Sequence, residues 1–286
     1  MTEIKTYCPI ISLREVVAYF WTATPFSNSS GKQVVRLMPD GKPGMIFQHR
    51  NGSAAFNNAF GLLPLSFLYG QATAHCLNYA ESPASVFGVS FEPLALQLLF
   101  GFRASELTNR IIDLREFDKT LEERFMELDT DAQKIGLLSG YFLEKLQHRS
   151  SNKIFIDHGL KEIRKSTGQQ TVNDLHKLYA VSERKFQRNF KELVGITPVQ
   201  YSRIIRFQRA VRQLQLGKLE NHAALSYELG YADQSHYIRE FKEFSGLTPV
   251  MFEAQAKNAI EHLAGCELRS GNTDNYWPVR IINHHN

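Results

Sequence analysis

Cysteine is scarce in this chain of 286 residues: Cys8, Cys76 and Cys266 stand far apart, and no C-x-x-C pair occurs. That spacing supplies no dithiol redox pair and no cysteine-built metal site. It fits reduced, structural thiols in a cytoplasmic protein. Long apolar runs are missing as well, since nowhere do ~18 apolar residues follow one another, and no transmembrane helix is expected. The opening MTEIKTYCPI lacks the apolar core of a secretory signal. What remains is ordinary for a folded protein: 43 % hydrophobic and 22 % charged residues. The length suggests two domains at roughly 100–200 residues each.

Catalytic motifs are equally hard to find. No P-loop, G-x-G-x-x-G or G-x-S-x-G is present, and MPDGKPG (38–44) has two glycines without the strand–loop–helix context of a phosphate cradle. A cupin-type metal centre needs a clustered His/His/Glu/His set. His49, His75 and Cys76 come nearest, but without H-x-H spacing they read as core or surface residues. His284 and His285 end a polar tail too short to be read as a metal site. No catalytic residue, metal or cofactor is expected, and the chain reads as a non-enzyme.

Charge is unevenly placed. Residues 1–152 carry 14 basic and 15 acidic groups, residues 153–257 carry 17 and 11, and residues 258–286 carry 2 and 3. The positive excess therefore sits in one C-terminal block, which suits a polyanion through counterion release.

Local pattern divides the chain in the same place. EVVAYFW (15–21), QVVRLM (33–38), GMIFQ (44–48), LSFLYG (65–70) and ASVFGVSF (84–91) read as short strands between Gly/Pro/Asn turns, an antiparallel sandwich or barrel. LALQLLF (94–100) reads as a short helix ending at Gly101, and ASELTN (104–109) as another helical turn. From 117 to 148, Leu121, Phe125, Leu128, Ile135, Leu138, Phe142 and Leu146 recur at helical spacing, with a break and cap at Asp129–Asp131. Those helices either cover the β-domain's core or form a dimer interface. HRSSNK (148–153) reads as the linker.

The C-terminal block repeats itself. FKELVGITPVQY (190–201) and FKEFSGLTPVMF (241–252) match at an offset of 51 residues, with seven of twelve positions identical. A unit duplicated once means two copies of one supersecondary module. In the first copy, VNDLHKLY (172–179), the turn Ala180–Val181 and a helix capped by Ser182 and stopped by Gly195 make a helix-turn-helix. In the second, HAALSYEL (222–229), Gly230–Ala232 and a helix from Asp233 to Gly246 do the same. Phe186, Phe190 and Leu193, and likewise Tyr237, Phe241 and Phe244, share one inward face. Arg184, Gln187 and Arg188, and Gln234, Ser235, His236 and Arg239, lie on another, with side chains that can pair with base edges or reach phosphates. Between the copies, residues 198–217 read as one long helix on which Arg203, Arg206, Arg209 and Arg212 recur every three residues. One or two of these arginines are candidates for phosphate contact, the rest for solvent or acidic neighbours.

LSYELGYADQSHYIREFKEFSGLTPVMF (225–252) resembles the signature of the AraC/XylS family of bacterial transcription regulators, L-G-Y-x-D-Q-S-H-F-x-R-x-F-K-x-x-x-G-x-T-P-x-x-Y. Tyr237 stands for the usual Phe and Phe252 for the usual Tyr; His222-Ala223-Ala224-Leu225 stands where the family often shows Ile-Ala-x-x-A, and Ser226 and Tyr227 are expected to alter the packing of that short helix. The resemblance implies an α+β protein of two domains. Residues 1–150 would be a regulatory, sensing or dimerisation domain of antiparallel β structure, cupin-like with covering helices. Residues 153–257 would be an all-α DNA-binding domain with tandem helix-turn-helix units, and residues 258–286 a tail. It implies that Arg184, Gln187 and Arg188 of one unit and Gln234, Ser235, His236 and Arg239 of the other face bases. The partners expected from it are double-stranded operator DNA, RNA polymerase, a second copy through the helices of 117–148, and a small-molecule effector, with no membrane partner. Trp21, Phe47 and Phe91 are either pocket-lining or core. A constitutive regulator without ligand, and a metal-dependent cupin enzyme fused to a DNA-binding module, are the rival readings.

Overall fold

The computed structural model describes residues 3–24, 32–49, 53–81, 84–147, 154–169, 182–216, 221–260 and 279–282. Its N-terminal half is built from β1 (Glu3–Tyr7), β2 (Val17–Thr24), β3 (Lys32–Leu37), β4 (Gly44–His49), β5 (Phe56–Asn58), β6 (Gly61–Leu62), β7 (Ser66–Tyr69), β8 (Cys76–Glu81), β9 (Ser85–Phe91) and β10 (Ile111–Asp113). One further strand, β11 (Val279–Ile282), comes from the far end of the chain and pairs with β3. The strands form two antiparallel sheets, ordered β1-β2-β9-β4-β7-β10 and β11-β3-β8-β5-β6.

Period-two alternation decides what each face of the larger sheet meets. Tyr19, Trp21 and Ala23 on β2, with Val86 on β9, point to the smaller sheet and meet Val35, Phe56 and Leu63. Phe20, Met45, Phe47, Phe87, Val89 and Phe91 point the other way. There they meet α1 (Lys119–Met126) and α2 (Asp131–Gln147). Phe125 stacks on Phe47 with ring centroids 3.7 Å apart, and Phe142 meets Phe91 edge-on at 5.3 Å. The helices thus cover the β core. Trp21, Phe47 and Phe91 are core residues, and Gly88 is required because the Trp21 indole lies across it, where a Cβ would come within 2.1 Å. A capping box starts α2: the Gln133 N–H donates to Thr130 Oγ1 at 3.3 Å, and the Thr130 N–H donates to Gln133 Oε1 at 3.1 Å.

The C-terminal half consists of α3 (Ile154–Lys165), α4 (Glu183–Val194), α5 (Pro198–Leu216), α6 (His222–Glu228), α7 (Gln234–Ser245) and α8 (Pro249–Ile260). Its aromatic core of Phe186, Phe190, Tyr201, Phe207, Tyr237, Phe241, Phe244 and Phe252 also takes in Met38 and Leu94 from the β half. Two polar links reinforce that contact. Arg164 donates from Nη2 to Glu92 Oε2 at 2.8 Å and from Nε to the Tyr201 hydroxyl at 2.8 Å, and Gln208 Nε2 donates to the Pro39 carbonyl. Gly41, with φ +77°, lets the 38–43 loop press on Tyr201, whose ring would lie 2.9 Å from a Cβ there. MPDGKPG is therefore a docking turn. Asp40, at its centre, keeps one carboxylate oxygen on the Lys42 N–H at 3.0 Å and leaves the other buried without a hydrogen bond. Burial pushes its pKa up to about 6. No described helix is long and apolar enough to cross a membrane. HRSSNK (148–153) lies outside the described residues.

Candidate nucleic-acid interface

Each of α4 and α7 starts on a side-chain cap and stops on a left-handed glycine. Ser182 Oγ accepts from the Lys185 N–H at 3.4 Å and Gly195 closes α4 at φ +102°. Asp233 Oδ1 accepts from the His236 N–H at 2.7 Å and Gly246 closes α7 at φ +74°. Between these ends both helices bury an aromatic row. Phe186, Phe190 and Val194 on α4, and Tyr237, Phe241 and Phe244 on α7, are fully buried, while Leu193 is only partly so. Phe190 packs against Tyr201 and Phe241 against Phe207, ring centroids 5.8 and 5.1 Å apart, so both helices rest on α5.

Burying those rows turns the opposite faces outward. Arg184 and Arg188 on α4, and Gln234, Ser235 and Arg239 on α7, are exposed; Gln187 and His236 are half-buried. Gln187 Nε2 donates to Glu183 Oε1 at 2.8 Å, which holds its amide along the helix. His236 stands edge-on to Tyr231 with centroids 5.3 Å apart, its Nε2 3.9 Å from Glu240. In the second unit, α6 precedes α7, and Asn221 Oδ1 caps it by accepting from the Ala224 N–H at 2.6 Å. The expected first helix of the other unit, 172–179, and its turn at Ala180–Val181 lie outside the described residues.

The two duplicated helices are capped alike, buried alike and rest on one connecting helix, and the second lies within the stretch 225–252 that resembles the AraC/XylS signature. Residues 175–255 match the helix-turn-helix domain family. That match supports the resemblance of this part of the chain to the AraC/XylS regulators. Residues 5–113 match a domain family of unknown function. Over 83 residues the chain is 28 % identical to the uncharacterized HTH-type transcriptional regulator YdeC of Bacillus subtilis (strain 168), covering 29 % of this chain and 28 % of YdeC. The chain thus spans little more than a quarter of that relative's length. Solved structures with similarity include ToxT from Vibrio cholerae, at 10 % identity over 82 % of this chain and 98 % of that one, with a TM-score of 0.46. Another is the C-terminal domain of AraT, a response regulator from Geobacillus stearothermophilus, at 23 % identity over 37 % and 87 %, with a TM-score of 0.33.

The family's departures have local explanations. Tyr237 fills the aromatic slot, but its hydroxyl is buried with no hydrogen-bond partner, and Phe252 meets Phe241 at 5.3 Å. Ser226 turns its hydroxyl onto the Ala223 carbonyl at 2.7 Å, while Tyr227 points to solvent.

Sequence reasoning missed the role of Glu240. This carboxylate on α7 is 1 % exposed and accepts from Arg203 Nε at 2.7 Å, Arg206 Nη2 at 3.1 Å and the Tyr231 hydroxyl at 2.7 Å. Arg203 also reaches Glu243 at 2.6 Å, and Arg209 reaches Glu228 at 2.7 Å. Partial burial pulls the Arg203 pKa down, yet its bonds to Glu243 and Glu240 outweigh this and hold it above the usual guanidinium value. Burial, then the Glu240 charge, raises the Tyr231 phenol. Three of the four α5 arginines are thus tied to acids of the second unit, not held out for phosphates. The three-residue arginine spacing was the only available signal, and it does not name partners.

Proposed function

We propose that the protein is a sequence-specific, DNA-binding transcription regulator in which α4 and α7 enter neighbouring stretches of major groove. The observation that carries this reading is the duplicated outward face. Arg184, Gln187 and Arg188 in one unit, and Gln234, Ser235, His236 and Arg239 in the other, supply bidentate and single donors and acceptors suited to base edges. The domain division is 1–150, 153–257 and 258–286, with the β half as the regulatory domain. Its inputs are a small molecule or a second copy docking through α1 and α2, and its output partner is RNA polymerase.

Selection of bound duplexes from a random pool, using the full chain, tests the reading. Two short conserved half-sites and an affinity that falls steeply with salt are expected; binding that enriches no sequence contradicts it. The α5 helix of 19 residues spans about 28 Å at ~1.5 Å per residue. Successive grooves on one face of straight duplex lie about 34 Å apart, so the operator should bend on binding. Unit one should supply most of the salt slope, because α4 exposes Arg184, Lys185, Arg188 and Lys191 and α7 only Arg239 and Lys242. Arg184→Ala with Arg188→Ala removes two positive charges from the interface and should flatten the slope by about two, and Arg239→Ala by at most one.

A further inference from the structure

The two duplicated helices end in equivalent turns, Gly195-Ile196-Thr197-Pro198 and Gly246-Leu247-Thr248-Pro249. A helix C-terminus leaves carbonyls without intrahelical partners, and such groups need donors from elsewhere. In both units the donor comes from the β half. Thr108 Oγ1 donates to the Gly195 carbonyl at 2.5 Å. Arg36 Nη1 donates to the Ser245 carbonyl at 2.8 Å, with His75 Nδ1 3.4 Å from the Glu243 carbonyl beside it. The approach is close in both places. A Cβ on Gly195 would lie 3.1 Å from the Ala104 carbonyl and 3.3 Å from Thr108 Oγ1, and one on Gly246 would lie 2.5 Å from both Arg36 Nη1 and His75 Nε2. Arg36 is 8 % exposed, so its guanidinium is committed to this seat.

A third hold falls between these two, where the 38–43 loop presses on Tyr201 and Gln208 of α5. The β half therefore touches the end of α4, the middle of the connecting helix and the end of α7. None of the three contacts covers the outward faces: Arg184, Arg188, Gln234, Ser235 and Arg239 stay exposed. A body that grips both helices from behind leaves DNA access open while fixing the distance and rotation between them.

We infer that Thr108 and Arg36 are specificity-determining positioning residues. They set the base-pair spacing between half-sites that the regulator accepts, without touching DNA. This rests on the DNA-binding reading above. Each inserted base pair moves one half-site by about 3.4 Å and turns it by about 34°, which a rigidly held pair of helices cannot follow.

The test uses the full chain and duplexes carrying the two selected half-sites at the selected spacing, and one and two base pairs longer or shorter. The native protein should lose about tenfold in affinity per base pair of misspacing, comparable to one disrupted base contact. Thr108→Val, which keeps shape and removes the donor, should lower that penalty, and Thr108→Val with Arg36→Met should reduce it to about threefold or less. Affinity for a single isolated half-site should stay unchanged in both. Melting temperature identifies any variant that fails to fold; if Arg36→Met does, Thr108→Val alone decides. An unaltered spacing penalty in folded variants overturns the inference while leaving DNA binding intact. Parallel loss of single-half-site affinity also overturns it, as a merely structural effect. Absence of salt-dependent DNA affinity in the native protein overturns the underlying reading, and the inference with it.

Discussion

At the position where α7 carries the buried carboxylate of Glu240, the repeat places Asn189 on α4. That one difference separates two ways of fastening the same module. The second unit is bolted to α5 by charge: Arg203 and Arg206 meet on Glu240, Arg203 continues to Glu243, and Arg209 holds Glu228 on α6. Both units share an aromatic contact with α5, Phe190 on Tyr201 and Phe241 on Phe207, and a hold from the β half, Thr108 on the first and Arg36 on the second; the ion pairs to α5 are what the second adds. The difference also corrects an arithmetic impression. Residues 171–212 hold nine basic and three acidic side chains, and residues 218–257 four and six, which suggests a strongly positive first unit and a negative second. Yet three of those nine basic groups are α5 arginines whose partners are acids of the second unit. Much of the apparent asymmetry is neutralised inside the fold, and what is left is the count of exposed cations on α4 and α7.

The sharpest way to break the comparison is to substitute the same repeat position in both units. Glu240→Ala strands the largely buried Arg206 guanidinium and leaves Arg203 with Glu243 alone, and should cost about 3 kcal/mol. Asn189→Ala, at a half-buried site without such partners, should stay within about 0.5 kcal/mol. Urea midpoints measure both, and equal losses would mean that the units are fastened alike.

A somewhat smaller effect is expected at Asp40, in the loop that supports Tyr201 and through it the first unit. Burial raises this carboxyl from 3.8 to about 6. Between those values the folded protein keeps a proton that the unfolded chain has released, so stability falls as pH rises through the window and the loss is complete above it. Asp40→Asn should match the native protein near pH 4 and exceed it by about 3 kcal/mol at pH 7.5. A difference that does not change with pH would contradict this account of the loop.

Much of this architecture was legible from residues. Helices 182–194, 198–217 and 233–245 announced themselves because aromatic periodicity, Ser182 and Asp233 caps and the Gly195 and Gly246 stops all agree, and the structure ends them within a residue or two. The five expected strands are present as β2, β3, β4, β7 and β9. The others were hidden for identifiable reasons. β8, Cys76–Glu81, lies inside the smaller sheet, but C-L-N-Y-A-E has too few β-branched residues to stand out. β5 sits inside the polar run HRNGSAAFNN, and β6 and β10 are only two and three residues long. The holds of the β half on α4 and α7 were invisible to any local pattern, because backbone carbonyls accept them and the donors stand 87 and 209 residues away. Arg36 in a strand and Thr108 in a turn look like ordinary surface residues until the chain is folded.

The smallest expected difference lies in the caps. Asp233 accepts from its helix at 2.7 Å and carries a charge, whereas Ser182 accepts at 3.4 Å. Asp233→Ala should therefore cost about 1–2 kcal/mol and Ser182→Ala about 0.5 kcal/mol, read from thermal midpoints. Reversal of that order would indicate that the first unit's cap is tighter than its geometry suggests.

The central claim is that both copies of the module read DNA, and alanine at the repeat-equivalent pair Arg188 and Arg239 tests it most directly. Binding is measured against a panel of operators carrying every single-base change in each half-site. Arg188→Ala should relax preference at one base position in one half-site, Arg239→Ala at one position in the other, each by about 1–3 kcal/mol. Uniform weakening across all sequences by either variant, or relaxation confined to the same half-site by both, would contradict the account.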